Sequence, residues 1–170
     1  MPQSRPAEFE VSSLVAAPPE QVWERIITPA GINHELRPWM RMTRPRGFER
    51  LDHESVELGK PIGRSWILLL GLLPFEYDDV TLVELEPGRR FLERSRTFAF
   101  SVWQHERVVE PLGEGRCGLT DRLGFELRPA LAWMPGAARL ARAIVAALFR
   151  HRHRRLTGLY QECPSVADAP

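Results

Sequence analysis

The stretch SVWQHERVVEPLGEGRCGLTDRLGFEL, residues 101–127, contains two strand-like segments and the turn between them, and its reading decides the fold. GEG at 113–115 supplies turn chemistry between segments rich in β-branched and aromatic residues. A hairpin closed there sets Pro111 opposite Cys117. Val109 then faces Leu119, Arg107 faces Asp121, His105 faces Leu123 and Trp103 faces Phe125. On the second strand Leu119, Leu123 and Phe125 are apolar, whereas Thr120, Arg122 and Glu126 are polar. The face carrying Arg107 and Asp121 is therefore expected to point inward. A buried cation and anion are costly unless they satisfy each other, so a close Arg107–Asp121 ion pair is expected, with His105 one step along.

Strand signals continue upstream. FEYDDVTLVELE (75–86) ends at the turn Pro87–Gly88, and RRFLERSRTFAF (89–100) leads into the hairpin. In the latter, Phe91, Glu93 and Ser95 alternate with Leu92, Arg94 and Arg96; the arginines suit a solvated face, which turns Glu93 and Ser95 inward. RSWILLLGL (64–72) follows a polar stretch punctuated by Gly59, Pro61 and Gly63. Trp66, Leu68 and Leu70 share one side of it, and Tyr77 with Val83 one side of the next strand, so aromatic walls are available. Six β segments with no helix between them, from residue 44 to 128, imply an antiparallel meander.

The ends of the chain complete the pattern. EFEVSSLVA (8–16) places Phe9, Val11 and Ser13 on one face of a first strand. APPEQVWERIIT (17–28) starts with prolines that a first helical turn tolerates and sets Val22, Trp23, Ile26 and Ile27 on one stripe. Pro29 and Gly31 are expected to break that helix, with one more turn in INHELRP before Pro38. After Pro135 and Gly136 a long helix follows, with Leu140, Ile144, Ala147, Leu148 and His151 expected on its inner face. A curved sheet has one apolar face to bury, and this helix is the long amphipathic element available to cover it. The expected class is α+β: a curved antiparallel sheet of about six to seven strands wrapped around the C-terminal helix, with two short helices after the first strand. Space left between sheet and helix would form a ligand cavity.

Composition narrows the function classes. The 170 residues suit a single domain, assigned to 1–163, with PSVADAP (164–170) as a frayed tail. Lys plus Arg number 23 against 22 Asp plus Glu, so no nucleic-acid partner is expected from overall charge. RHRHRR (150–155) points around a whole helix, and cations near a helix C-terminus favour the macrodipole without any partner. WILLLGLLPF (66–75) is about half the length needed to cross a bilayer, so no stable membrane insertion is expected. Nothing in MPQSRPAEFE directs export, and Cys117 and Cys163 form no thiol metal motif; a reduced, cytoplasmic chain is expected. His151 and His153 diverge on a helix, so no metal site is assigned. No Gly-rich phosphate loop or Ser/His/Asp set is present, and no cofactor is expected. INHELRPWMRM (32–42), with His34 beside Glu35, reads either as a lid or as packing of Leu36, Trp39 and Met42 under a loop.

The segments APPEQVWERI, LLPFEYDDVTLVELEPGRRFLERS, WQHERVVEP, LTDRLGFELRP and FRHRHRRL together resemble the START-like, polyketide-cyclase-like helix-grip superfamily called SRPBCC, over about residues 9–160. Within it the chain is most similar to bacterial ligand-binding members of unassigned function. The resemblance implies the helix-grip fold; the superfamily includes lipid carriers, hormone receptors, aromatic cyclases and co-chaperone domains, so it implies no one activity and carries over no active site.

Three functions fit these residues. The first is binding of a hydrophobic or aromatic small molecule between sheet and helix, with Trp66, Tyr77, Glu93, Trp103, His105, Arg107, Asp121 and Phe125 as ligand-binding candidates. The second is a cyclase, aromatase or dehydratase-like enzyme in the same cavity, with His105 or Glu93 as general base. The third is a protein interaction domain, which needs an exposed apolar patch. Against all three, the Arg107–Asp121 pair has a plain structural role, pinning strand register.

Overall fold

A computed structural model describes residues 7–161; Cys163 and the expected frayed tail, 164–170, lie outside the described residues. The chain runs β1 (Ala7–Val15), α1 (Pro19–Ile26), α2 (Pro29–Leu36), β2 (Met40–Met42), β3 (Pro61–Leu69), β4 (Leu73–Glu86), β5 (Arg90–Thr97), β6 (Phe100–Gly113), β7 (Arg116–Leu127), α3 (Pro129–Ala132) and α4 (Ala137–Gln161). The seven strands form a single antiparallel sheet in the order β1-β7-β6-β5-β4-β3-β2. From β2 to β7 each strand pairs with the next, and β1 closes the far edge against β7. The curled sheet holds α4 in its concave face, the helix-grip arrangement expected from the element order. No helix among the described residues is long and apolar enough to cross a membrane.

The β6–β7 register follows from its turn. Gly113 and Gly115 take positive φ of 76° and 68°, a region open to glycine without strain, and the hairpin closes there. Pro111 pairs with Cys117, Val109 with Leu119, Arg107 with Asp121, His105 with Leu123 and Trp103 with Phe125, as the hairpin argument requires. Leu119, Leu123 and Phe125 are buried against the helices.

Two local expectations need correction. Pro29 does not merely break a helix: Thr28 Oγ1 accepts from Gly31 N–H at 3.1 Å, so Thr28 caps and Pro29 begins α2, which runs eight residues. On α4 the buried stripe is Val145, Ala146, Phe149, His153 and Leu156, whereas Leu140 and Ile144 are exposed. The first half of α4 is apolar on most sides, so periodicity there does not select a face. His153 on the buried stripe is hydrogen bonded to Ser13 and Asp121 on the sheet.

Two apolar clusters flank the space between sheet and helix. One joins Trp23 and Ile26 of α1 to Leu82, Phe91, Val109 and Leu119 of the sheet, with Leu156 of α4 and Leu51 of the β2–β3 connection. The other joins Leu123 and Phe125 to Val145 and Phe149. The connection is anchored to α1 by the Leu51 N–H to Ile27 carbonyl bond, 2.9 Å.

Candidate functional site

Between these clusters lies a cavity of about 430 Å³, within the size range of small-molecule sites. Its walls are mostly apolar: Ile26, Leu36, Met42, Leu82, Phe91, Trp103, Val145 and Phe149 contribute from every layer. Asp78, Glu93, His105 and Arg107 supply one polar wall, with Arg152 reaching in from α4.

Strand alternation delivers these groups. Glu93 and Ser95 point inward from β5, His105 and Arg107 from β6, and Asp121 from β7. Arg107 Nε and Nη2 donate to Asp121 Oδ1 and Oδ2, both at 2.7 Å, so the expected ion pair is bidentate. Its other edge donates to Glu35 of α2: Nη1 to Oε1 at 2.9 Å and Nη2 to Oε2 at 3.0 Å. Arg152 Nε also donates to Glu35 Oε2, at 2.9 Å. Asp121 is saturated, because His105 Nε2 reaches Oδ1 and His153 Nε2 reaches Oδ2, each at 3.0 Å. On its other side His105 Nδ1 lies 3.6 Å from Glu93 Oε2, and Ser95 donates to Glu93 Oε1. The imidazole is gripped edge-on between the rings of Phe91 and Phe149, at 5.4 and 5.1 Å.

Burial and charge set the protonation states. Burial pushes the Asp121 carboxyl up, but the Arg107 charge and hydrogen bonds outweigh it and hold the group well below the usual carboxylate range. Glu35 is likewise opposed by burial and kept low by Arg107 and Arg152. Burial also opposes ionisation of Glu93, and contact with His105 and Ser95 keeps it low. For His105 burial favours the neutral ring, but Asp121 and Glu93 more than offset it and raise its pKa. Asp78 behaves oppositely: burial, then the charge of Glu93, drives its carboxyl well above the ordinary range. Arg107 and Arg152, with His105 and His153 beside them, thus face the carboxylates Glu35, Glu93 and Asp121. Asp78 Oδ1 is buried without a hydrogen-bond partner.

Of the eight ligand-binding candidates, Glu93, Trp103, His105 and Arg107 line the cavity. Asp121 sits behind Arg107, and Phe125 packs behind Trp103 and Phe100. Trp66 and Tyr77 need correction: they pair edge to face at 5.9 Å on the outer side of β3 and β4, beside the Arg64–Asp79 ion pair. WILLLGLL is apolar at both parities, so alternation alone does not choose its inner face; Ser65 and Ile67 take it. Sequence reasoning missed Glu35, Asp78, Arg152 and His153. Asp78 shares its parity with Val80 and Leu82, which was the available signal. Glu35 and Arg152 have no such signal, since their partners are more than seventy residues away. No group of His, Cys, Asp or Glu among the described residues is placed to hold a metal ion.

Comparison with known proteins supports the fold. A family model described as a domain of unknown function (DUF8410) matches residues 13–160. No curated protein matches the chain. Among solved structures, a protein from Chromobacterium violaceum is 18% identical, covers 93% of this chain and 100% of its own, and superposes with a TM-score of 0.67. An aromatase/cyclase from a Streptomyces species is 15% identical over 96% of this chain and 99% of its own, with a TM-score of 0.67. A START superfamily protein from Mycobacterium smegmatis is 11% identical over 91% and 97%, with a TM-score of 0.61. The SRPBCC resemblance therefore holds for the fold; identities this low carry no activity across.

Proposed function

The chain belongs to the DUF8410 family and has a START-like helix-grip fold, and from that premise we propose that it binds a largely apolar, uncharged small molecule in the cavity between sheet and α4. The observation that carries this reading is the contrast within the cavity, apolar on most sides with one buried polar wall. That wall orients a ligand by hydrogen bonds instead of neutralising it. Four of the five Arg107 N–H groups are engaged by Asp121 and Glu35. Glu93 already pairs with His105 and Ser95, so beside it a hydroxyl or carbonyl suits the wall better than a carboxylate.

Native mass spectrometry of freshly purified protein tests this directly. A bound apolar compound released on denaturation is expected, and the neutral probe N-phenylnaphthylamine should bind wild type but not the cavity-filling variant Ala141→Trp. Absence of both a bound mass and probe binding would reject the reading.

One observation favours a second reading, a cyclase- or dehydratase-like enzyme. A carboxyl with a strongly raised pKa, Asp78, stands beside one whose pKa is lowered, Glu93, and an imidazole whose pKa is raised, His105, and such separation is how acid and base roles are divided in one cavity. Elimination of water from a neutral aryl β-hydroxy ketone, abolished by Glu93→Gln with probe affinity retained, is the result this reading requires. A probe returned unchanged leaves binding as the function.

A further inference from the structure

Three residues line the cavity and are also about half open to solvent: Phe75 (49% exposed), Phe98 (60%) and Ile144 (53%). They come from the start of β4, the β5–β6 turn and the first half of α4, and together they mark the mouth. The apolar surface continues outward from each. The β3–β4 turn presents Leu70, Leu72 and Leu73, with Leu72 80% exposed. Trp39 stands beside that turn, its carbonyl accepting from Leu70 N–H at 2.7 Å. Leu140 lies one helical turn before Ile144, and Trp133 is exposed in the α3–α4 connection. Single exposed leucines are ordinary, but apolar side chains gathered around one opening mark an interaction surface.

Charge identifies the partner. The segments that build this rim, 37–46, 66–75, 96–100 and 127–144, contain eight arginines and no Asp or Glu. Arg37, Arg41, Arg44, Arg139 and Arg142 are exposed and make no ion pair among the described residues. Glu76, next to Phe75, is turned to the backbone, accepting from the N–H groups of Tyr77, Phe98 and Ala99. With a net charge of +1 over the whole chain, the acidic residues that balance these arginines lie elsewhere.

We propose that the rim of the cavity mouth docks reversibly on an anionic lipid surface, so that the cavity opens onto the bilayer. Leucines at a hairpin tip reach the acyl boundary, tryptophans beside them suit the headgroup level, and unpaired arginines attract anionic headgroups. The fit of a protein partner is poorer, because the apolar side chains are spread over separate elements, the β3–β4 hairpin, the β5–β6 turn and the first half of α4. The inference rests on the rim and does not depend on what the cavity holds.

Cosedimentation of the full chain with vesicles tests it, using phosphatidylcholine alone or mixed with phosphatidylglycerol, at low and high salt. Binding is expected with phosphatidylglycerol and should weaken with salt. Leu72→Asp combined with Leu73→Asp should lower the apparent affinity by about tenfold or more. Arg139→Glu with Arg142→Glu should remove the preference for phosphatidylglycerol. Leu112→Asp, an exposed leucine at the opposite end of β6, should leave binding unchanged. Wild type remaining in the supernatant with every vesicle at low salt would overturn the proposal. So would equal loss in the Leu112 variant, or a dimer by light scattering that the Leu72/Leu73 variant dissociates, since the rim would then be a self-interface.

Discussion

Asp78 shows how a single side chain reports its surroundings. In the unfolded chain it ionises in the ordinary carboxylate range, whereas in the fold burial and Glu93 push its pKa well above that range. Between those two values the folded state binds more protons than the unfolded one, so stability from this group falls as pH rises through that window. Asparagine resembles the protonated carboxyl and can still donate to Glu93, but it carries no such penalty. Asp78→Asn is therefore expected to raise the urea midpoint near neutral pH and to leave it almost unchanged at acid pH, below the ordinary carboxylate value. His105, whose pKa is raised, contributes stability that likewise fades as pH climbs through its folded value. An identical midpoint for variant and wild type at neutral pH would mean that Asp78 is ionised in the fold.

Among the elements, the corner between α1 and α2 matters most to the site because it aims Glu35. Thr28 Oγ1 donates to the Arg25 carbonyl at 2.9 Å and accepts from Gly31 N–H, which folds α2 tightly against the end of α1. A Cβ on Gly31 would fall 1.9 Å from the Arg25 carbonyl oxygen, a backbone atom that cannot swing aside. Gly31→Ala is expected to destabilise the protein by about 1 to 3 kcal/mol, as overpacking does, and to disturb the Glu35–Arg107 contact one helical turn away. Equilibrium denaturation measures the first effect; a wild-type midpoint would show that the corner yields freely. This corner was only partly legible in the sequence. Pro29 reads equally as a stop for one helix and a start for the next, and the spatial closeness of α1 decides between them.

At the scale of the whole molecule, Arg107 ties together pieces that no local pattern connects. It holds Asp121 on β7 and Glu35 on α2, and through Glu35 it reaches Arg152 on α4. Such a buried network adds specificity more surely than net stability, but removing its centre strands the partners. Arg107→Ala is expected to destabilise by about 3 to 5 kcal/mol in denaturant titrations, with part of the loss recovered when Glu35→Gln and Asp121→Asn are added. An unchanged midpoint in the single variant would mean that the pair is not buried in solution. The sequence by itself determined the antiparallel meander, the β6–β7 register and the inward Arg107–Asp121 pair, because a two-residue alternation and a glycine turn are local signals that survive without a fold; the pairing of β1 with β7 came from the tertiary structure. It also determined that a long helix must cover the sheet. Only the tertiary structure decided which face of α4 turns inward and that Trp66 and Tyr77 lie outside. The same holds for the joining of Glu35, Arg152 and His153 to the network. Where a segment is apolar on both faces, or a charge finds its partner more than seventy residues away, the choice depends on packing free energy between distant elements, which no local period records.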